Sequence, residues 1–285
     1  MIALYPILGA LALGSGTILE RSVLRKKKIK VTLYQTLSFL SIIVCLLPFI
    51  YFFWRVDPSA LTSTNILIFA LVILVATTAN LFIFYSLKWE KVTNLEPARV
   101  LEPLFTILLA LVFSFFIDSR LYERNIHIII PALIAALALV FSHIKKHHLT
   151  FNRYFISGII GSFFFALELV LSRLILNFYS PITFYFIRCS AIFLISLIIF
   201  RPETKIVDKK IGWTIFITGV IWNVYRIALY YGYVQLGIIF TTLIMMLGPI
   251  FIYIFANKFL KEKLNWRNIV ASFVIIACVV YALVF

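Results

Sequence analysis

Residues 101–117 read LEPLFTILLALVFSFFI, and residues 247–260 read LGPIFIYIFANKFL. With Pro103 laid on Pro249, Leu101 meets Leu247, Phe105 meets Phe251, Ala110 meets Ala256 and Phe113 meets Phe259. At the same offset Tyr85 meets Tyr231. After a three-residue gap Leu121, Arg124 and Asn125 meet Leu264, Arg267 and Asn268. Apolar stretches share leucines by chance. Shared Pro, Tyr, Arg and Asn in one order point instead to a duplicated unit.

Outward from these stretches the chain stays apolar. Hydrophobic residues make up 63% of 285, and the mean hydropathy is +1.07. A water-soluble domain cannot bury that much apolar surface, so the expected solvent is lipid. A helix needs roughly 20 apolar residues to cross a bilayer. Ten segments meet that need: 2–19, 31–54, 64–87, 95–117, 125–142, 154–176, 181–200, 211–233, 235–257 and 267–285. The strict alternation of barrel strands is absent. The expected fold class is all-α integral membrane, with ten transmembrane helices in two five-helix repeats, 1–142 and 153–285. Five is odd, so the second copy must cross the bilayer in the opposite sense, as in secondary transporters.

Charge reports on topology. Odd-numbered loops carry 19 Lys and Arg, among them the run Arg25-Lys26-Lys27-Lys28, whereas even-numbered loops carry Arg55, Arg120, Arg124 and Arg173. The positive-inside rule then puts odd loops in the cytoplasm and both termini outside. The net charge of +15 comes largely from this bias. It fits anionic headgroups better than nucleic acid. No Lys or Arg precedes Arg21, so the first segment lacks a signal peptide's basic start and is expected to be a retained span. Cys45, Cys189 and Cys278 are scattered through spans, which argues against a disulfide framework.

Prolines and intramembrane charges mark the candidate site. Pro lacks a backbone donor and clashes with the preceding turn. Pro97 and Pro103 in span 4, with Gly248 and Pro249 in span 9, are therefore candidate helix breaks at matched places. Charges in mid-membrane usually face a cavity or one another. Glu168 in span 6, Arg188 in span 7 and Arg226 in span 8 qualify. Glu96, Arg99 and Glu102 follow at three-residue spacing in span 4, along one helical face. The carboxylates can pair Arg99 within its own helix, or Arg99 and Glu102 can bind a charged solute. Burial favours a neutral carboxyl and a neighbouring Arg a charged one. Glu168 is accordingly a candidate for proton coupling, the alternative being a fixed ion pair with Arg188 or Arg226. Arg226 is a candidate anion anchor. Asn80, Tyr85, Asn223 and Tyr225 are expected to line the cavity, and Tyr233 and Trp89 to sit in the interfacial belts. Gly14-Ser15-Gly16 and Ser157-Gly158 to Gly161-Ser162 offer surfaces for close helix packing.

Leu247-Gly248-Pro249, the helix that follows it and Phe259-Leu260-Lys261-Glu262-Lys263-Leu264 resemble the EamA-type ten-span family of the drug/metabolite transporter superfamily. Leu101-Glu102-Pro103-Leu104-Phe105 is similar in the first half. Ser172-Arg173, Ser180-Pro181 and Arg188 look like the opening of a second EamA repeat. The resemblance implies two repeats around a central cavity, alternating access and a small polar or amphipathic metabolite as cargo. It also implies cytoplasmic termini, against the charge count. The family's acidic turn is Lys261-Glu262 here, and Ser119 stands where the first half would repeat Glu262.

Other classes fit less well. ATP-driven transport needs a P-loop, and none is present. An intramembrane enzyme would need clustered carboxylates or a His-Glu-x-x-His pattern, also absent. His127, His143, His147 and His148 lie at span ends or in a basic turn. A non-transporting scaffold would need neither buried charges nor inverted symmetry. No cofactor and no metal are expected. The expected partners are a small-molecule solute, the bilayer and protons.

Overall fold

The computed structural model describes residues 4–90, 92–117, 121–122, 124–143, 152–203, 207–251 and 266–284. Eleven helices are defined among them. They are α1 (Leu4–Leu24), α2 (Val31–Phe53), α3 (Ser63–Trp89), α4 (Val92–Arg99), α5 (Leu101–Phe116), α6 (Ile126–His143), α7 (Arg153–Ile175), α8 (Pro181–Phe200), α9 (Lys209–Leu236), α10 (Ile238–Met245) and α11 (Trp266–Val284). Eight candidate spans are long and apolar enough to cross a membrane, while Ile126–Ser142 and Ile238–Phe251 are shorter apolar helices. Residues 252–265, which hold the end of the expected ninth span, lie outside the described residues.

Two boundaries differ from the expected ones in ways that matter. The first span does not stop at residue 19. Its helix runs to Leu24 and carries Glu20 and Arg21 with it. The fourth span is broken at Val100, which divides α4 from α5. A break of the same kind follows α10 at Met246 and Leu247, before helical backbone resumes at 248–251. Pro103 and Pro249 explain both. Each ring crowds the carbonyl four residues earlier, on Arg99 and Met245, where α4 and α10 end. Pro97 lies inside α4 without ending it. Gly237 makes a further break between α9 and α10, at φ 83° and ψ 169°, a region almost closed to other residues.

Helices pair lengthwise. α3 packs along α7, α1 along α9, α2 along α8 and α6 along α11. Lipid supplies no hydrophobic force between helices, so close backbone approach has to hold them. Gly161 on α7 supplies it, since a Cβ there would lie 2.7 Å from the Ile83 side chain and 3.2 Å from its backbone nitrogen on α3. Gly248 likewise meets the Ala10 carbonyl of α1, 3.0 Å from where its Cβ would stand. Large apolar side chains such as Tyr51, Phe52, Phe116 and Phe273 stay on the outer surface, as expected of a face toward lipid.

The connections gather at two ends. At one end Arg21 Nη2 donates to the Glu90 carbonyl at 3.4 Å, Asn152 Nδ2 donates to Glu90 Oε2 at 2.6 Å, and Lys88 Nζ donates to the Ile29 carbonyl. At the other, Val56 and Tyr179 form an antiparallel bridge. Asp57 N donates there to the Phe178 carbonyl at 2.7 Å, and Ser180 N to the Arg55 carbonyl at 3.1 Å. Asp57 also caps a short 3-10 turn, and the Ser59 N–H at 2.8 Å holds its carboxyl below the ordinary value.

Gly237→Ala is expected to lose about 1–3 kcal/mol of stability because of its backbone conformation. Gly212→Ala, inside α9 with nothing within 4 Å of the new methyl group, is expected to gain a few tenths up to about 1 kcal/mol. Thermal unfolding of the purified protein in detergent checks both signs.

Candidate functional site

α7, α8 and α9 bring one carboxylate and two guanidiniums together in a dry place. Glu168 is fully buried. Arg188 Nε lies 3.0 Å from Glu168 Oε1, and Arg226 Nη1 donates to Oε2 at 3.3 Å. The Arg188 Nε–H is not aimed at the carboxylate, so that contact is an ion pair without a hydrogen bond. Tyr230 OH and Ser172 Oγ each donate to Oε1 at 3.1 Å. The spacing explains the grip. Ser172 stands four residues after Glu168 on α7, and Tyr230 four after Arg226 on α9, so each pair shares a helical face. These are the two ion pairs found among the described residues.

Arg226 has a second role in this arrangement. Its guanidinium lies over the rings of Phe165, at 5.3 Å, and Tyr225, at 5.5 Å, contacts that favour a cation. Past it opens a cavity between the two halves of the chain. Its polar wall holds Glu20, Asn80, Arg99, Glu102, Arg188 and Arg226. Its aromatic wall holds Phe39, Phe84, Phe165, Tyr185, Trp222 and Tyr225. About 50 Å³ is open to the centres of water molecules, room for a few waters. Glu168 stands behind Arg188 and Arg226, off the wall. On the side of the Val56–Tyr179 bridge, rings fill the space: Phe69 meets Tyr179 at 5.6 Å and Phe184 at 5.3 Å, and Phe184 meets Tyr230 at 5.2 Å.

Of the residues expected in the site, Asn80, Arg99, Glu102, Arg188, Tyr225 and Arg226 line this cavity. Glu168 reaches it through its arginines. Tyr85 does not reach it; its ring packs on Tyr154 at 5.5 Å. Asn223 is buried beside the cavity without lining it, donating from Nδ2 to the carbonyl of the lining residue Ile42 at 3.2 Å. Tyr233 is buried against Thr242 rather than standing in an interfacial belt, whereas Trp89 is exposed. Among the described residues no ion pair joins Arg99 to Glu102, which stand on either side of Val100. Arg99 Nη1 donates instead to Thr17 Oγ1 on α1, at 3.1 Å. The Glu96 side chain lies outside the described residues. So do His147 and His148. Among the described residues no cluster of metal-ligating side chains occurs.

Two polar cavity groups were not expected. Glu20 belongs to α1 and Ser38 to α2, which also carries Tyr34. Tyr34 OH donates to Glu20 Oε1 at 3.4 Å, and Trp222 stands on the same cavity wall as that carboxyl. Helical spacing carried a signal for Glu20: it follows Gly16 by four residues, on the face that packs against Ile221 and Trp222.

The geometry joins charged groups from both halves around one wet space, and the sequence comparison agrees. Residues 152–284 match the sequence model of the EamA-like transporter family. The second half of the chain is similar to that family, whose members are membrane transporters of the drug/metabolite type, and the eight long apolar helices among the described residues make this a multi-pass membrane protein. A transporter's partners are a small-molecule solute and the bilayer. No curated protein matches the sequence. A solved crystal structure is similar over 99% of this chain and 96% of its own, with a TM-score of 0.69 at 14% identity, a likeness of fold.

Removing Glu168's charge leaves two buried guanidiniums facing each other. Glu168→Gln is expected to cost about 3–5 kcal/mol, the usual penalty for breaking a buried pair. Glu168→Gln combined with Arg188→Gln is expected to lose less than the two single variants added together. Thermal denaturation of the four proteins of that cycle in detergent measures the coupling.

Proposed function

We propose that the chain is a secondary transporter that carries a small polar or amphipathic solute by alternating access, with the proton as candidate coupling ion. One observation carries the reading: a water-accessible cavity at membrane depth, walled by α1–α5 of the first half and α7–α9 of the second, presents five charged side chains to whatever enters it. Charges at that depth are expensive in a protein that only has to hold its shape.

The packing supports an inverted repeat of 1–142 and 153–285. Sliding each span by five exchanges the α1–α9 contact with α7–α3 and returns α2–α8 and α6–α11 to themselves. A twofold relation between the halves requires that pattern. The breaks before Pro103 and Pro249 fall at matched residues, which suits Pro97, Pro103, Gly248 and Pro249 to a hinge role. The bridge at Val56–Tyr179 and the rings beneath it make a closed gate at the end poor in Lys and Arg, and we assign the lysine-rich end to the cytoplasm. Arg226, stacked on Phe165 and only partly engaged by Glu168, is the anchor we assign to an anionic group of the solute.

The reading is checked by thermal stabilisation of the purified protein over amino acids, nucleosides, sugars and sugar phosphates. At least one class is expected to raise the melting temperature in a saturable way, and Arg226→Ala and Asn80→Ala to weaken that rise at least tenfold in solute concentration, about 1.4 kcal/mol. A solute that stabilises all three proteins alike would remove these residues from the site. No stabilisation by any class would count against a solute cavity.

A further inference from the structure

Three carboxylates, Glu168, Glu102 and Glu20, stand at the cavity or behind its wall, and their surroundings separate them. Glu168 is saturated: Arg188, Arg226, Tyr230 and Ser172 all address its two oxygens, and it does not touch the cavity. Glu102 lines the cavity on α5 with Arg226, Arg99 and Glu168 as its charged neighbours, two cations to one anion. Glu20 differs from both. It lines the cavity, it is buried, and its hydrogen-bonding partner is neutral, the Tyr34 phenol of α2, with the Trp222 indole of α9 on the same wall. Among the described residues no cation touches it in an ion pair, and Arg99 of α4 acts on it only through space. Thr17, one turn earlier on α1, accepts a hydrogen bond from Arg99 Nη1 at 3.1 Å.

A carboxyl group held by a neutral donor in a desolvated site has no cation bound to it that fixes its charge, so it can change protonation state. From this placement we infer that Glu20 is the carboxyl that takes a proton from the cavity water and returns it, and that Arg99 is the group it regulates. With Glu20 ionised, Arg99 faces a carboxylate across the cavity edge. With Glu20 protonated, that attraction is gone and the guanidinium is free to hold an anionic group. Proton and anion then favour each other's binding, and by linkage the effect runs both ways. This deepens the transport reading and rests on it for the coupling, though not for the proton site itself.

Trp222 gives a readout that needs no solute. Its indole lines the same cavity as Glu20, so the emission of Trp222, taken as the difference between the protein and Trp222→Phe, is expected to show a single step as the pH is varied. Glu20→Gln is expected to abolish that step and Glu102→Gln to keep it. Arg99→Gln removes a stabilising positive charge from the ionised form, so the midpoint is expected to move to more alkaline pH by roughly one unit. The carboxylic-acid C=O band in infrared difference spectra of Glu102→Gln, recorded across the same pH range, reads the same proton should Glu20→Gln fail to fold. A flat emission difference, a step that survives Glu20→Gln, or an infrared band that does not follow pH would overturn the site. An unmoved midpoint in Arg99→Gln would overturn the link to Arg99. An emission step without any solute stabilisation would leave the proton site standing and sink the transporter reading alone.

Discussion

The arrangement depends on keeping Glu168 and its two arginines out of lipid. Isolated charges at that depth cannot persist, and a carboxylate with two guanidiniums still leaves one positive charge unbalanced. The chain solves this by distributing the burden. Glu168 binds one nitrogen of each arginine, Phe165, Tyr225 and Tyr185 lay ring faces beside the guanidiniums, and the rest of each cation turns toward a small wet space. The cavity is therefore part of the electrostatic solution. Without it, Arg188 and Arg226 would lack both solvent and sufficient counter-charge. α7, α8 and α9 are fixed to one another by the same contacts, so the second half of the site is stiff.

The first half of the site is built differently. α4 and α5 meet at a break, α1 meets the stretch around Gly248 backbone to side-chain position, and Arg99 is held by one hydroxyl on α1. Helix ends next to a proline release carbonyls that must find partners elsewhere, and such places yield more readily than continuous helix. Charged groups thus stand on a rigid wall opposite a wall made of short, interrupted pieces. The same division holds in the second half, where α10 is only eight residues long between Gly237 and the break before Pro249.

Much of this was legible in the sequence because the physics is one-dimensional there. Apolar runs announce spans, matched prolines announce breaks, and Glu168, Arg188 and Arg226 stand alone among apolar neighbours. The sequence could not tell that α1 continues through Glu20-Arg21. Its run of basic residues after Leu24 looks the same whether the helix ends at residue 19 or 24, and the extra turn is held by a neighbour on another helix, Tyr34. Tyr85 and Asn223 failed for a related reason. Both stand on the expected helices, but helix rotation decides which residue meets the cavity, and an almost uniformly apolar helix has no polar face to declare it. The pairing of Arg99 within its own helix was read from spacing alone, and spacing carries no sign that Thr17 on α1 would take one of its nitrogens.

The two walls also divide the chemistry. Arg188 and Arg226 hold a fixed charge that Glu168 keeps aligned, a suitable seat for a group that must bind the same way each time. Glu20, Arg99 and Glu102 have no such clamp; each faces the cavity with its ordinary counter-charge missing or shared. Charges left under-compensated can respond to what enters, because a small change in occupancy changes their environment a great deal where water is scarce. A transporter needs both kinds of wall: one that recognises and one that reacts. Their separation onto α7–α9 and onto α1 with α4 and α5 means that binding on the stiff side can be felt on the yielding side across a gap only a few waters wide.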